Sequence, residues 1–355
     1  MIEFTRFFLS CVVLEAHFWP LGMPWLAWAS VFGFYTLSGF LMTRVLRERY
    51  GFGLLNLGRF MCNRVLRLWP AYLAVLAVTA AMLLIPGMDQ IYGLLHLPRS
   101  PFDALANVTV LGLVGTDFRY MTLMTLTVPN SWSLSIEMFC YLLLGAYFAK
   151  TPGRLWALGI IGCIALTWST GTCLARDPPI AEYAPYCFQN RYGVLQAGLI
   201  PFAGGGLLQF HIEALRPTLM RWTWPIAAGL TAIALLTWAT PALQYTVAPF
   251  IGPLAVALLM IHAVRRGAPS RVTDFFGRAS YHLFIAQWII AAMLLRGTPL
   301  PRDSAVLALA TLAVSLAFSA ALVPLEHRIE RYRRRVAPAA PVASPKLAAA
   351  AAIEA

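Results

Sequence analysis

The stretch LAWASVFGFYTLSGFLMTRVL, residues 26–46, carries a single charged side chain, Arg44. A helix of about 20 apolar residues spans the roughly 30 Å hydrocarbon core of a bilayer, so this stretch reads as a membrane span. Comparable runs recur on both sides of it. Cut at charge clusters and at Pro or Gly, they predict ten spans near 4–21, 26–46, 66–87, 131–149, 155–175, 192–211, 222–240, 243–264, 279–296 and 303–325. The composition agrees: 59% of the 355 residues are apolar and 12% charged, where ordinary soluble chains are roughly half apolar and a quarter charged. A mean hydropathy of +0.69 excludes a soluble enzyme, a coiled coil and a disordered chain. The predicted fold class is all-α, a polytopic membrane bundle of about ten transmembrane helices.

An even number of spans puts both termini on one side. Loops on that side carry 20 of the 27 Lys and Arg residues, the opposite loops carry six, and Arg6 lies inside the first span. Cytoplasmic loops are the ones enriched in Lys and Arg, so both termini are predicted to be cytoplasmic. The net charge of +12 is therefore a topology signal, and no nucleic-acid partner is expected. The first span follows Met1 with no small-residue cleavage site before a soluble domain, so a removable signal peptide is not expected.

The six cysteines form no CxxC pair and show no metal-ligand spacing, so neither a zinc nor a redox site is predicted. Cys173 and Cys187 bracket an outer loop where a disulfide would persist, and their pairing is left open. Residues 1–335 form one membrane domain, and the Ala/Pro-rich segment 336–355 reads as a disordered cytoplasmic tail. Two longer segments interrupt the spans: a cytoplasmic one, 47–65, and an outer one, 88–130, whose apolar stretch 108–114 suggests a re-entrant or interfacial piece.

Ionisable groups within spans are costly and mark functional positions. Arg6, Glu15, His17, Glu137 and Glu326 qualify, with His211, His262, His282 and His327 nearer span ends. Arg6 and His17 are three turns and about 20° apart on one helix, hence on one face, and separated by about 16 Å. They mark either the two ends of a tunnel, or a snorkelling arginine and a hydrogen-bonded bundle histidine. His is also the side chain best suited to take a proton from a hydroxyl near neutral pH. In Pro129-Asn130-Ser131-Trp132-Ser133-Leu134-Ser135-Ile136-Glu137, Ser131 or Ser133 is expected to cap a helix, with Glu137 one turn inside and needing a partner such as His17 or an arginine. Ser38-Gly39-Phe40 supplies small residues for close helix approach. Arg64 and Arg67 share a face at the cytoplasmic entry of the third span, in a run that Pro70 stops. They either anchor the helix or grip phosphates. There is no Walker loop, GxGxxG, HExxH or GxSxG motif.

Taken in order, these motifs resemble the acyltransferase-3 family of integral membrane acyltransferases. The family's Arg-x10-His is matched by Arg6 and His17, and its Ser-Gly-Phe by Ser38, Gly39 and Phe40. Its arginine motif leading to Leu-x-Pro is matched by Arg64, Arg67 and Pro70, and its Trp-Ser-Leu-x-x-Glu by Trp132, Ser133, Leu134 and Glu137. Ser280-Tyr281 is similar to the Ser-Tyr-x-x-Tyr-x-x-His-Trp segment, and Pro324-Leu325-Glu326 to a terminal carboxylate motif. Three positions depart: Asn63 replaces an arginine, Phe284 the second tyrosine and Gln287 the late histidine. Without a long C-terminal extension, the chain looks like the form that lacks an esterase-like domain.

The resemblance implies transfer of an acyl group, usually acetyl, from cytoplasmic acyl-CoA to a hydroxyl of an extracytoplasmic glycan in the bacterial inner membrane. It implies His17 as general base with Glu137 orienting it, donor contacts from Arg6, Arg64, Arg67 and Ser38, and acceptor contacts from Trp132, Ser133 and Tyr281, with Tyr120 as a further aromatic. Gly39, Phe40, Pro70 and Glu326 take structural roles. No permanently bound cofactor or metal is expected, and acetyl-CoA or another acyl-CoA serves as co-substrate. The partners are acyl-CoA, a glycan or lipid-linked sugar and the bilayer, with a homo-oligomer left open. The competing reading from the residues is a proton-coupled transporter or flippase, against which stand the lack of a visible inverted repeat and the clustering of charged sites in the first four spans.

Overall fold

Lipid offers no partners to backbone N–H and C=O groups, so apolar runs of this length fold as helices that satisfy themselves. The computed structural model describes residues 2–19, 25–116, 125–176, 192–239, 241–263 and 270–336, and among these every long regular element is helical. The helices are α1 (Ile2–Phe18), α2 (Trp25–Val45, continued by a wider turn, Leu46–Tyr50), α3 (Leu54–Leu83), α4 (Pro101–Thr109), α5 (Ser131–Ala146) and α6 (Pro152–Arg176). They continue with α7 (Leu195–Arg221), α8 (Thr223–Ala239), α9 (Pro241–Ala263), α10 (Arg271–Gly297) and α11 (Ala305–Val336). Each predicted span falls on one of these helices.

Fewer of them qualify as spans in their own right. Five described helices are long and apolar enough to cross a membrane: Trp25–Tyr50, Leu54–Leu83, Pro152–Thr172, Arg271–Gly297 and Ala305–Arg333. The pair α7 and α8, bent by 79° at their junction, makes a sixth. Ser131–Ala146 and Pro249–Ala263 are shorter apolar helices. The reason lies in length: α1 and α8 have 17 residues and α5 has 16, short of the roughly 20 that a full crossing takes.

Several local expectations are corrected. The segment 47–65 is largely helix, because α3 starts at Leu54. Pro70 lies inside that helix, which has 30 residues in all; membrane helices tolerate proline where packed neighbours take over the freed backbone group. Neither Ser131 nor Ser133 caps α5. Their hydroxyls donate backward, to the carbonyls of Val128 at 2.7 Å and Asn130 at 2.9 Å. Helix α11 overruns its predicted end by one-third of its length to reach Val336. The remaining tail residues, Tyr120 and the Cys173–Cys187 pairing lie outside the described residues or side chains.

Helix α2 is the most enclosed span and packs on α1, α7 and α9. The approach to α7 depends on glycine at Gly39 and Gly205. A methyl at Gly39 would lie 2.2 Å from the Phe202 carbonyl oxygen, and one at Gly205 would lie 2.0 Å from that of Thr36. Within the segment 88–130, Ser100 caps α4 by accepting the Asp103 N–H at 3.0 Å. This helix buries Asp103 and Asn107 and exposes Phe102, Leu105 and Val108, the pattern of a helix whose outward face meets lipid. Asn107 ties it down by donating to the carbonyls of Asp103 (2.9 Å) and Thr125 (2.6 Å) and accepting from Thr127 N–H (2.9 Å).

Candidate active site

At the end of the bundle where α2, α3, α10 and α11 overrun the apolar spans lies a cavity of about 720 Å³. Six arginines line it: Arg6 from α1, Arg49 from the end of α2, Arg64 and Arg67 from α3, Arg278 from α10 and Arg333 from α11. The carboxylates that face them are Glu3, Asp274 and Glu330. Positive charge therefore exceeds negative in a concave, partly enclosed space, which concentrates anions.

The arginines differ in their freedom to bind a ligand. Arg278 pairs with Asp274 one turn away and lies 3.7 Å from Glu326, and Arg333 pairs with Glu330. Arg64 is only 7% exposed. Its Nη2 donates to Asn63 Oδ1 at 2.8 Å and its Nη1 to Met42 Sδ at 3.4 Å, with the guanidinium above the Phe60 ring. Its Nε, like that of Arg6, is buried without a hydrogen-bond partner among the described residues. A buried guanidinium left with spare donors is set up for an anionic ligand. Asn63, which stands where an arginine was expected, thus orients its neighbour. Arg67 lines this cavity and an adjoining one of about 290 Å³, which it shares with Pro70, Arg278, Glu326 and Arg333. Glu326 Oε1 lies 3.1 Å from Nε2 of the buried His282, close but without hydrogen-bond geometry, so it sits where α11 meets α10.

Arg6 also lines a second, much smaller pocket of about 50 Å³ together with Tyr35, Ser133, Glu137, Ser280, Tyr281 and Phe284. The Glu137 carboxylate accepts from Ser38 Oγ at 2.7 Å and from the Tyr141 hydroxyl. Ser38 is therefore placed beside Glu137 and not among the residues that line the basic cavity. The Tyr281 hydroxyl donates to the Leu68 carbonyl at 3.0 Å. Phe40 is buried in the core, and Trp132 packs edge-on against Tyr192 with centroids 4.8 Å apart.

His17 occupies a separate position from Glu137. Its Nδ1 lies 3.2 Å from Gln287 Oε1, and its ring packs on Trp288 with centroids 4.7 Å apart. The expected Glu137–His17 contact is thus replaced by two others, Glu137 with Ser38 and Tyr141, and His17 with Gln287. Beyond Trp288, Phe18 and Tyr92 complete an aromatic cluster. Burial, with the nearby Asp303 charge, pushes the Tyr92 hydroxyl up to about 12 despite Arg302, so it stays protonated at neutral pH.

Sequence reading missed Arg49, Asn63, Arg278 and Arg333 as parts of the basic cavity and Tyr141 as a partner of Glu137. Tyr141 was signalled by its i,i+4 spacing from Glu137. Arg333 carried no local signal, because it was assigned to a loop beyond the last span.

A model of the acyltransferase-3 family, described as an acyltransferase domain, matches residues 5–323. The chain belongs to the acyltransferase-3 family. It is a membrane acyltransferase in that general sense. The match takes in Arg6, His17, Arg64, Arg67, Glu137, Arg278 and Gln287, while Glu326, Glu330 and Arg333 lie past its end. No curated protein and no solved structure matches the chain.

Proposed function

We propose that this acyltransferase moves an acetyl group from cytoplasmic acetyl-CoA to a hydroxyl of a glycan on the outer side of a bacterial inner membrane. The observation that carries the reading is the 720 Å³ arginine-walled cavity, at the end where the sequence places both termini and most Lys and Arg. Coenzyme A is a polyanion at its nucleotide end. Arg6, Arg64 and Arg67, joined by Arg278 and Arg333, hold its phosphates, and planar guanidiniums suit them because they meet phosphate oxygens in pairs.

From there the donor's thioester arm runs along α1 and α10 toward His17, about 16 Å from Arg6 along the helix. The His17 Nε2 lone pair takes the proton of the acceptor hydroxyl. The oxygen attacks the thioester carbonyl carbon, the C–S bond breaks, and the departing thiolate recovers the proton from the imidazolium as free CoA. In this reading ten helices cross the bilayer with both termini inside. Glu137 holds Ser38 and Tyr141 around the small pocket, and the sugar enters from the end that carries Trp132.

The test is transfer of radiolabelled acetyl from acetyl-CoA into the glycan fraction of membranes that contain the protein, beside His17→Ala at matched amount and detergent-extracted size profile. Incorporation that disappears with His17→Ala supports both donor and base. Incorporation that survives in the variant removes His17 from the chemistry. No incorporation with native acceptor supplied overturns the proposal.

A further inference from the structure

We infer that Gln287, held by the Phe284 carbonyl, is a positioning residue that fixes His17 as the tautomer with its proton on Nδ1. The inference rests on the proposed role of His17 as base and says which of its nitrogens does the work.

The argument starts at a group whose polarity is unambiguous. An indole N–H only donates, and Trp288 Nε1 lies 3.2 Å from Asn130 Oδ1. The Asn130 amide is thereby oriented, and its Nδ2 donates to the Phe284 carbonyl at 2.7 Å. That carbonyl only accepts. The Gln287 group 3.1 Å from it is accordingly the NH2, Nε2, and the Gln287 carbonyl Oε1 is the atom turned to His17, 3.2 Å from Nδ1. A carbonyl oxygen has no proton to give, so Nδ1 donates. The neutral ring then has its one lone pair on Nε2.

Burial makes the arrangement stiff. Gln287 is fully buried, Asn130 is nearly so, and the same Trp288 that anchors Asn130 lies against the His17 ring. Reversing the Gln287 amide would set its carbonyl against the Phe284 carbonyl, two acceptors with no proton between them, a configuration that buried polar groups avoid. The late histidine's replacement by Gln287 therefore does more than remove an acid or base. An amide does not titrate, so the polarity it imposes on His17 is the same at every working pH. When the ring takes a proton on Nε2, the Nδ1–H to Oε1 bond strengthens and stabilises the imidazolium.

Two measurements on the full chain in lipid nanodiscs test this. With 15N-labelled histidine, the His17 signals, assigned by their loss in His17→Gln, are expected to show a protonated Nδ1 and an unprotonated Nε2. The opposite tautomer, or rapid exchange between the two, overturns the inference whatever the activity. In acetyl transfer, Gln287→Met keeps the side-chain volume and replaces the amide oxygen by a thioether sulfur, a far weaker acceptor for the Nδ1 proton. It is expected to lower kcat about tenfold, the size of one lost hydrogen bond to a developing charge, with KM for acetyl-CoA within twofold. Gln287→Glu, protonated or not, still offers an oxygen to Nδ1 and is expected to recover most of that loss. Wild-type kcat in Gln287→Met overturns the positioning role. If the native protein transfers no acetyl at all, the proposed function fails, and the labelled spectrum still decides the tautomer.

Discussion

Replacing Gly39 by alanine should destabilise the protein more than any conservative change on the membrane-facing surface. The added methyl would sit 2.2 Å from the Phe202 carbonyl oxygen and 2.8 Å from the Phe202 Cα, both backbone atoms that no rotamer change can move. Ordinary contact begins near 3.4 Å, so α2 and α7 must part locally by about 1.2 Å. The parting also loosens the reciprocal contact, where Gly205 meets the Thr36 carbonyl. Overpacking of this kind costs about 1–3 kcal/mol, and a rigid backbone neighbour on the most enclosed span places Gly39→Ala near the upper end. Taking roughly 2 °C per kcal/mol for a large domain, the midpoint of thermal inactivation in detergent should fall by about 6 °C. Gly229→Ala is the control. Gly229 lies inside α8 with nothing within 4 Å of an added methyl, and helix propensity alone favours alanine by about 1 kcal/mol. The two substitutions are thus expected to move the midpoint in opposite directions. An unchanged midpoint in Gly39→Ala, with activity intact, would refute the close-approach argument.

Three further outcomes follow from the same geometry. Arg64→Gln should raise KM for acetyl-CoA by about 10- to 100-fold, the value of a charge-assisted hydrogen bond of ~1.5–3 kcal/mol, while leaving KM for acetylpantetheine, which has no phosphate, nearly unchanged. Equal effects on both donors would take Arg64 off the phosphates. Asn107→Ala should cost about 2–4 kcal/mol, because buried backbone groups at Thr125 and Thr127 lose their partner. Limited proteolysis of the native protein should then cut the 101–130 segment faster, and an unchanged cleavage rate would refute the tie. Ser38→Ala strips Glu137 of one of its two hydroxyl donors and should lower thermal stability by about 1–3 kcal/mol, a loss that unfolding in detergent would show or exclude.

The helices were legible because lipid selects for long apolar runs, and each predicted span lands on one. Their ends were not. In the sequence the charges at Arg47, Arg64, Arg278 and Arg328 read as span boundaries, yet Arg, Lys and Glu are good helix formers, and their long stems let heads reach water or a cavity while the backbone stays helical. The helical overruns at α3, α10 and α11 wall the basic cavity, so the same error hid both the helix ends and half of the arginines. Arg6, Arg64 and Arg67 could be read from spacing because each lies within or at the edge of an apolar run. Arg333 could not, since only the continued helix carries it back over the cavity. The partner of His17 was misassigned for another reason. Sequence spacing says which residues share a face of one helix and nothing about which face of another helix meets it, and Glu137 and Gln287 were equally compatible until α10 was placed against α1.

The register along α10 connects these parts. Asp274, Gly277 and Arg278 face the large cavity, Ser280, Tyr281, Phe284 and Ile285 face the small pocket, and Gln287 and Trp288 hold His17. On α1 the sequence of stations is the same, from Ile2, Glu3 and Arg6 to His17. Arg6 lines both cavities, so on the proposed function the way from phosphate site to base passes it. The middle station is narrow. A pocket of about 50 Å³, against about 720 Å³ for the basic cavity, has room for a few waters at about 10–15 Å³ each on the same measure. On the proposed function, donor binding has to widen it, and the groups that would move are those whose contacts are polar and local: Ser38 and Tyr141 on Glu137, and Tyr281 on the Leu68 carbonyl. A closed middle station also has a chemical use. On the proposed function it would keep water in the basic cavity away from a thioester held at His17, so that the acceptor hydroxyl meets the donor without bulk solvent as a competing nucleophile.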